Sequence, residues 1–359
     1  MKDLLAQLLD GEPLHADQAM AAFSAIMSGE ADPAQTGALL ALIQQRGPTL
    51  NEIVGAARVM RAKATPVTVP DGLTAVDTCG TGGDHAGTFN ISTAAALVAA
   101  GAGRPVGLCV AKHGNRAVTS KSGSSQVLET LGVTLLVEPE ALPKCLDKAG
   151  LCFCFAPAHH PAMKHAAPIR AALGFRTIFN IVGPLTNPAG AARQVVGVFD
   201  AGLVGTIAEA LLALGAEAAM VACGSIPDAD GRHTDAIDEL SSCGPTQLVE
   251  LRDGRLHRRT LEPAEVGLPF GHPSALRVEG PEASAALIRK VLGGEHGPAR
   301  DIVMLNAAAA LHVGGVCDGL EAGLQLAGEA LDSGAARGAL ETLCRVTAEH
   351  AAPPPEPAQ

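Results

Sequence analysis

The chain reads as an α/β protein with a small N-terminal α-helical lobe and a larger α/β lobe built on a mostly parallel central sheet. Three observations predict this. The first seventy residues carry helix signals and no strand signal. From residue 73 onward, short apolar runs alternate with helical segments, as parallel strands joined by crossover helices do. Between the first such run and the first such helix lies a glycine-rich stretch, Asp77-Thr78-Cys79-Gly80-Thr81-Gly82-Gly83-Asp84. At 359 residues there is room for both lobes.

In the helical part, Asp32-Pro33 places an N-cap before a proline at the first helical position, and Gly47-Pro48 ends that helix. Thr49-Leu50-Asn51-Glu52 is a capping box for the next helix, which runs to about Ala64. Met20, Phe23, Ile26 and Met27 recur at helical spacing and should share a buried face. Thr65-Pro66 starts an extended link that reaches Pro70. The expected strands are 73–76, 106–111, 151–155, 195–199 and 219–222, with helices over 94–101, 125–132 and 207–214 between them. Arg252-Asp253-Gly254-Arg255 marks a hairpin turn. Long helices follow over 281–292 and 299–313, and helical sequence continues to about Thr347. Residues 351–359, with three consecutive prolines, are expected to be a disordered tail. The lobes are thus 1–70, completed by helices around 165–190, and 71–350.

A formal net charge of −11 argues against a nucleic-acid surface. The nine cysteines are scattered without a CxxC pair, and Cys152-Phe153-Cys154 lies in an apolar run, so buried reduced thiols are expected. The N-terminus lacks a basic region followed by a long apolar stretch, and no window has the apolar length of a membrane helix. A cytoplasmic enzyme is the expectation.

The glycine-rich stretch is either a tight turn or a phosphate cradle. Its glycines free the backbone to approach an anion, and Asn90-Ile91-Ser92-Thr93 opens a helix whose N-terminus favours negative charge. It matches neither GxGxxG nor a P-loop. Lys112-His113-Gly114-Asn115-Arg116-Ala117-Val118-Thr119-Ser120-Lys121-Ser122-Gly123-Ser124 follows a strand directly; its cations and hydroxyls suit a multiply charged oxyanion, or form a solvated basic loop. Asp238-Glu239 reads by default as a solvent-facing pair, yet supplies hard oxygen ligands for Mg²⁺. Arg170 and Arg176 flank a short segment; either a bidentate carboxylate contact or a surface salt bridge suits an arginine there. His159-His160-Pro161 lacks a third ligand and reads as a loop entering a helix.

Taken in order, several strings resemble the anthranilate phosphoribosyltransferases, a family of tryptophan biosynthesis. They are Gly80-Thr81-Gly82-Gly83-Asp84, Asn90-Ile91-Ser92-Thr93, Lys112-His113-Gly114-Asn115-Arg116, Arg170, Gly183-Pro184-Leu185-Thr186-Asn187-Pro188 and Asp238-Glu239-Leu240-Ser241. The resemblance spans roughly 12–350 and includes Ile26-Met27-Ser28-Gly29-Glu30 and Asn306-Ala307-Ala308-Ala309-Ala310-Leu311.

The resemblance implies a nucleoside-phosphorylase/phosphoribosyltransferase-like fold with the active site between the lobes, and a homodimer joined through the helical lobes. The reaction it implies moves the phosphoribosyl group of 5-phosphoribosyl 1-pyrophosphate (PRPP) onto the amine of anthranilate. By resemblance, PRPP is bound by Gly80, Gly83, Asp84, Thr88, Asn90, Ile91, Ser92 and Thr93, by Lys112, His113, Gly114, Asn115, Arg116, Ala117, Val118, Thr119 and Ser120, and by Ser124. Anthranilate is bound by Gly80, Asn115 and Arg170, with His113 and Pro184 along its path. Two Mg²⁺ ions are implied, one on Ser92 and one on Asp238 and Glu239. No covalent nucleophile or strong base is needed, because an aromatic amine is unprotonated at neutral pH.

Against the family pattern the chain is about four residues longer between Thr93 and Lys112, with Gly107-Leu108-Cys109-Val110 as the surplus, and Thr119 stands where serine is usual. Two other readings share some features. A pyrimidine nucleoside phosphorylase has the same architecture, but the Lys112 run and the Asp238-Glu239 pair favour the transferase. A non-catalytic nucleic-acid-binding relative is disfavoured by the net charge.

Overall fold

The computed structural model describes residues 1–116, 123–227 and 235–353. Four helices open the chain: α1 (Lys2–Leu9), α2 (Ala16–Ser28), α3 (Pro33–Arg46) and α4 (Leu50–Ala62). Asp32 caps α3, its Oδ1 accepting from the Ala34 and Gln35 amides at 2.9 and 3.1 Å. Glu52 does more than close the α4 capping box on Thr49. Fully buried, it also pairs with Arg46 and accepts from the Leu14 amide at 3.0 Å, tying the α1–α2 and α3–α4 connections together. Phe23, Ile26 and Met27 of α2 are buried as expected; Met20 is only partly so.

The sheet holds β1 (Thr74–Gly80), β2 (Leu108–Gly114), β3 (Leu151–Phe155), β4 (Arg193–Gly197), β5 (Ala218–Ile226), β6 (Asp235–Ile237), β7 (Thr246–Arg252) and β8 (Arg255–Leu261). Its order is β3-β2-β1-β4-β5-β7-β8, with β6 also paired to β5. The first five strands in that order are parallel, and the pairings of β6, β7 and β8 are antiparallel. The chain leaves β1 toward β2 but leaves β4 toward β5, so the topological switch lies between β1 and β4, where open α/β sheets collect ligands. Asp253 and Gly254, at φ 52° and 70°, form the two-residue β7–β8 hairpin.

One difference from the expected strands and one point of register matter for the site. The first strand continues past residue 76, pairing with β4 as far as Gly80 opposite Gly197, so the glycine loop springs from the strand's carboxyl end. The surplus residues form no added loop. Gly107 turns the chain at φ 83°, and residues 108–110 pair with residues 74–76, which places Lys112 opposite Phe153 in register.

Alternation along the strands separates two cores. Val195, Met220, Ala222 and Leu248 face one core, which surrounds the largely buried α5 (Ile91–Gly103) with helices Pro298–Val313, Leu320–Asp332 and Ala335–Glu349. Val196, Ala219, Val221 and Val249 face the other, continuous through helix Leu203–Ala213 with the N-terminal helices and with Ile178, Phe179 and Val182. Arg61 of α4 crosses this junction, donating to the Leu185 and Leu214 carbonyls at 2.7 and 3.1 Å. The tail expected from residue 351 starts later than that. Ala351 bridges to Val137 and the Ala352 amide donates to Leu136 at 3.0 Å, while residues 354–359 lie outside the described residues. Among the described residues no helix is long and apolar enough to cross a membrane.

Candidate active site

A cleft of about 590 Å³ opens at the carboxyl ends of β1 and β2. Gly80, Gly83, Asp84, Thr88, Asn90, Ile91, Ser92, Lys112, His113, Gly114, Asn115, Arg116, Ser124, Arg170, Pro184, Asp238 and Glu239 all line it. These positions, far apart in sequence, converge because β3, β2, β1, β4 and β5 run parallel side by side, so that the segments after β1, β2 and β3 and the turn after β6 meet at one edge of the sheet. Thr93 does not line it: it is buried, and its hydroxyl donates to the side chain of Asn90, which does. Ala117, Val118, Thr119 and Ser120 lie outside the described residues.

The glycine loop is left-handed at Gly82, Gly83 and Gly87 (φ 69°, 78° and 70°) and also at His85 (φ 59°), a conformation that costs a non-glycine residue energy. It is anchored along its length. The Thr81 amide donates to the Gly197 carbonyl at 2.9 Å, and the Gly82 amide to Asp238 Oδ2 at 2.7 Å. Beyond the loop, the Phe89 amide donates to the Leu276 carbonyl at 2.8 Å and the Val278 amide to the Gly87 carbonyl at 3.0 Å.

Asp238 and Glu239 are not the solvent-facing pair that adjacent carboxylates on a turn suggest. Both line the cleft half-buried, and the partial loss of water raises their pKa values; for Asp238 the Asp84 carboxylate adds to the rise, and for Glu239 it is Asp238. Glu239 Oε1 accepts from the Ser92 amide at 3.0 Å and so caps the first turn of α5. The turn itself is clamped by buried Asn306, which accepts from the Leu240 amide at 3.0 Å and donates to its carbonyl at 2.9 Å. Two glycines make room for it: a Cβ on Gly197 would run into the Asp238 carbonyl oxygen, and one on Gly80 into Asp238 Oδ2. Among the described residues no three His, Cys, Asp or Glu side chains form a ready-made metal cage. What converges is a hydroxyl and carboxylate set, Ser92, Asp238 and Glu239.

Lys112 is buried on β2, its Nζ donating to the Thr78 carbonyl at 2.5 Å and the Ser92 hydroxyl at 3.1 Å. The strand register thus seats its charge at the start of α5. Arg116 reaches sideways, with its guanidinium 3.4 Å from Glu129 and over the Phe155 ring. Arg170, on helix Ala167–Leu173, lies 5.4 Å from the Phe179 ring centroid and donates to Asn180 Oδ1 at 3.4 Å; burial lowers its pKa. Met60, Met163, Lys164, His160 and Arg176 also line the cleft, although the family resemblance assigns them no binding role. Among the described residues Arg176 forms no surface salt bridge; it reaches across to the glycine loop.

His113 and His160 meet with Nε2 atoms 3.3 Å apart. Burial, then the neighbouring histidines, push His113 down to about 3, and burial pushes His160 down to about 4. Both are neutral at pH 7. A lowered folded pKa means that the unfolded chain binds the proton first, so stability is lost as pH falls below about 6.5. Between about pH 7.5 and about pH 5, His113 should cost the native state about 2 kcal/mol. Urea unfolding of wild type and His113→Asn at both pH values should show the wild type losing more by that amount; equal losses would mean that the imidazole is not held neutral.

The helical lobe, the mixed sheet and a glycine loop at the topological switch define a glycosyl transferase. A model of the glycosyl transferase family a/b domain matches residues 72–337, and one of the family's helical bundle domain matches residues 2–64. The chain is 49% identical to the anthranilate phosphoribosyltransferase of Phenylobacterium zucineum, covering 97% of this chain and 98% of that one. It is 47% identical to that of Rubrobacter xylanophilus, with 97% of each covered. The crystal structure of the Thermus thermophilus enzyme superposes with a TM-score of 0.84 at 41% identity, covering 96% of this chain and 99% of that one. The Saccharomyces cerevisiae enzyme in complex with PRPP and Mg gives 0.83 at 27% identity, covering 96% and 97%. The chain belongs to the anthranilate phosphoribosyltransferase family.

Proposed function

We propose that the cleft transfers the phosphoribosyl group of PRPP to the amine of anthranilate, giving N-(5-phosphoribosyl)anthranilate and pyrophosphate. One observation carries this reading. A left-handed glycine loop, a half-buried carboxylate pair and a half-buried arginine, far apart in sequence, line a single cleft. In this reading the loop and the Lys112–Ser124 side hold PRPP, and Arg170, Asn115 and Gly80 hold anthranilate. Residues 1–70 with the helices around 165–190 form the small lobe, and 71–350 the donor-binding lobe. The protein acts in the cytoplasm as a homodimer joined through helical lobes.

The residues present suit a reaction that needs charge stabilisation rather than proton transfer. Neutral His113 and His160, with pKa values near 3 and 4, are weak bases, and anthranilate's amine needs no prior deprotonation. Lys112 contributes a fixed positive charge at the start of α5, oriented before substrate arrives. The depth of the cleft aligns donor and acceptor, so much of the rate comes from positioning. Ser92, Asp238 and Glu239 are hard oxygen donors of the kind that hold Mg²⁺ together with substrate phosphates, and we assign two ions to them. Bound there, Mg²⁺ would offset charge on the departing pyrophosphate.

Arg170 tests the acceptor half of this assignment. A planar guanidinium matches anthranilate's carboxylate through two parallel hydrogen bonds. Losing a charged hydrogen bond costs on the order of 1.5–3 kcal/mol, or about ten- to a hundred-fold in affinity. Arg170→Ala should raise KM for anthranilate by that factor and leave KM for PRPP within a few-fold. A rise in the PRPP constant alone would move Arg170 to the donor site.

A further inference from the structure

Arg176 is a cleft cation that neither substrate site claims. Its Nη2 donates to the Gly83 carbonyl and lies 2.9 Å from His85 Nε2, while the guanidinium sits 4.2 Å from the Phe199 ring centroid. Phe199 is itself tied to the loop, its amide donating to Thr81 Oγ1 at 3.2 Å. The two loop residues that Arg176 holds are both left-handed, and one of them, His85, is not glycine. Left-handed backbone at a non-glycine residue persists only where its surroundings enforce it. Thr81 and Gly82 are held by β4 and Asp238, and residues 87–89 by the 276–278 segment. Between those anchors, Arg176 is the side chain that reaches Gly83 and His85.

Arg176 is covalently close to the acceptor wall. It lies just beyond Gly174, which ends the Arg170 helix at φ 68°. Immediately after it, the Thr177 amide donates at 3.0 Å to Asn180 Oδ1, the oxygen that also accepts from Arg170. One short segment therefore carries both the acceptor arginine and the clasp on the donor loop.

We infer that Arg176 is a positioning residue for donor binding: stacked on Phe199, it holds the Gly83–His85 bend of the glycine loop in its PRPP-receiving form, and it mechanically joins that loop to the acceptor wall. This rests on the PRPP-transferase reading above. A flat, multiply donating group is required, because it must stack on a ring and bond two acceptors together; an ammonium does the second less well and cannot do the first in the same way.

The test measures KM for PRPP and for anthranilate, under saturating Mg²⁺, in wild type, Arg176→Ala, Arg176→Lys and Phe199→Leu. PRPP-dependent consumption of anthranilate by wild type comes first, since its absence would sink the transferase reading rather than this inference. Given that activity, Arg176→Ala should raise KM for PRPP about ten- to a hundred-fold, the loss of one charged hydrogen bond or somewhat more, with KM for anthranilate within a few-fold. Arg176→Lys should recover little of the loss. Phe199→Leu, which removes the ring, should move the PRPP constant the same way by a smaller factor. Unchanged PRPP constants in a folded Arg176→Ala protein would overturn the inference, as would full rescue by lysine or a rise confined to anthranilate.

Discussion

Gly83→Val should abolish PRPP binding in isothermal titration calorimetry while leaving the far-UV spectrum of a folded protein. Two independent constraints meet at this residue. Its φ of 78° is a conformation that β-branched side chains rarely adopt. A Cβ there would also stand 2.7 Å from Arg176 Nη2 and 3.0 Å from its Cζ, so the loop or the clasp must move. The backbone strain costs of order 1–3 kcal/mol, too little by itself to unfold a typical domain. Gly11, at φ 84° with nothing within 4 Å of a built Cβ, is the matched control. Gly11→Val should carry a similar strain and bind PRPP normally. Normal PRPP binding by Gly83→Val would reduce the loop to a turn.

The second large effect belongs to the carboxylate pair. Asp238→Asn with Glu239→Gln keeps an oxygen to accept from the Gly82 and Ser92 amides but removes both charges. This variant should raise the Mg²⁺ concentration for half-maximal activity by well over tenfold, because neutral amides are poor partners for a hard divalent cation. Its stability should match or exceed wild type, since the folded state no longer disfavours ionisation of two half-buried carboxylates beside each other and Asp84. The double alanine variant differs. It also strips the bonds to the exposed Gly82 amide and the part-buried Ser92 amide at the first turn of α5, each worth about 1 kcal/mol, so it should be less stable than the amide variant. A surface pair would show neither contrast. An unchanged Mg²⁺ titration in both variants would remove Asp238 and Glu239 from the metal site.

The contrast shows where sequence reading stops. The caps at Asp32 and Thr49, the Asp253-Gly254 hairpin and the strand at Leu151–Phe155 were legible because each is decided by residues within a few positions of one another. The burial of Asp238 and Glu239 was not, since it depends on Asn306 clamping the turn from a distant helix and on Gly197 leaving space for it. Local rules placed the end of the first strand too early, because its last residues are polar and glycine and are strand only by pairing with β4. The surplus between Thr93 and Lys112 could lengthen either the strand or the loop before it, and only the pairing across the sheet decides, placing residues 108–110 in β2 with Lys112 opposite Phe153. Nothing near Arg176 in the sequence signalled its hold on the loop. That role comes from a contact across 93 residues.

The most direct measurement follows anthranilate fluorescence in the purified protein. The account predicts that the signal falls only when PRPP and Mg²⁺ are both present, with one pyrophosphate released for each anthranilate consumed. Persistence of the fluorescence under those conditions, together with phosphate-dependent cleavage of thymidine, would contradict it and make the cleft that of a nucleoside phosphorylase.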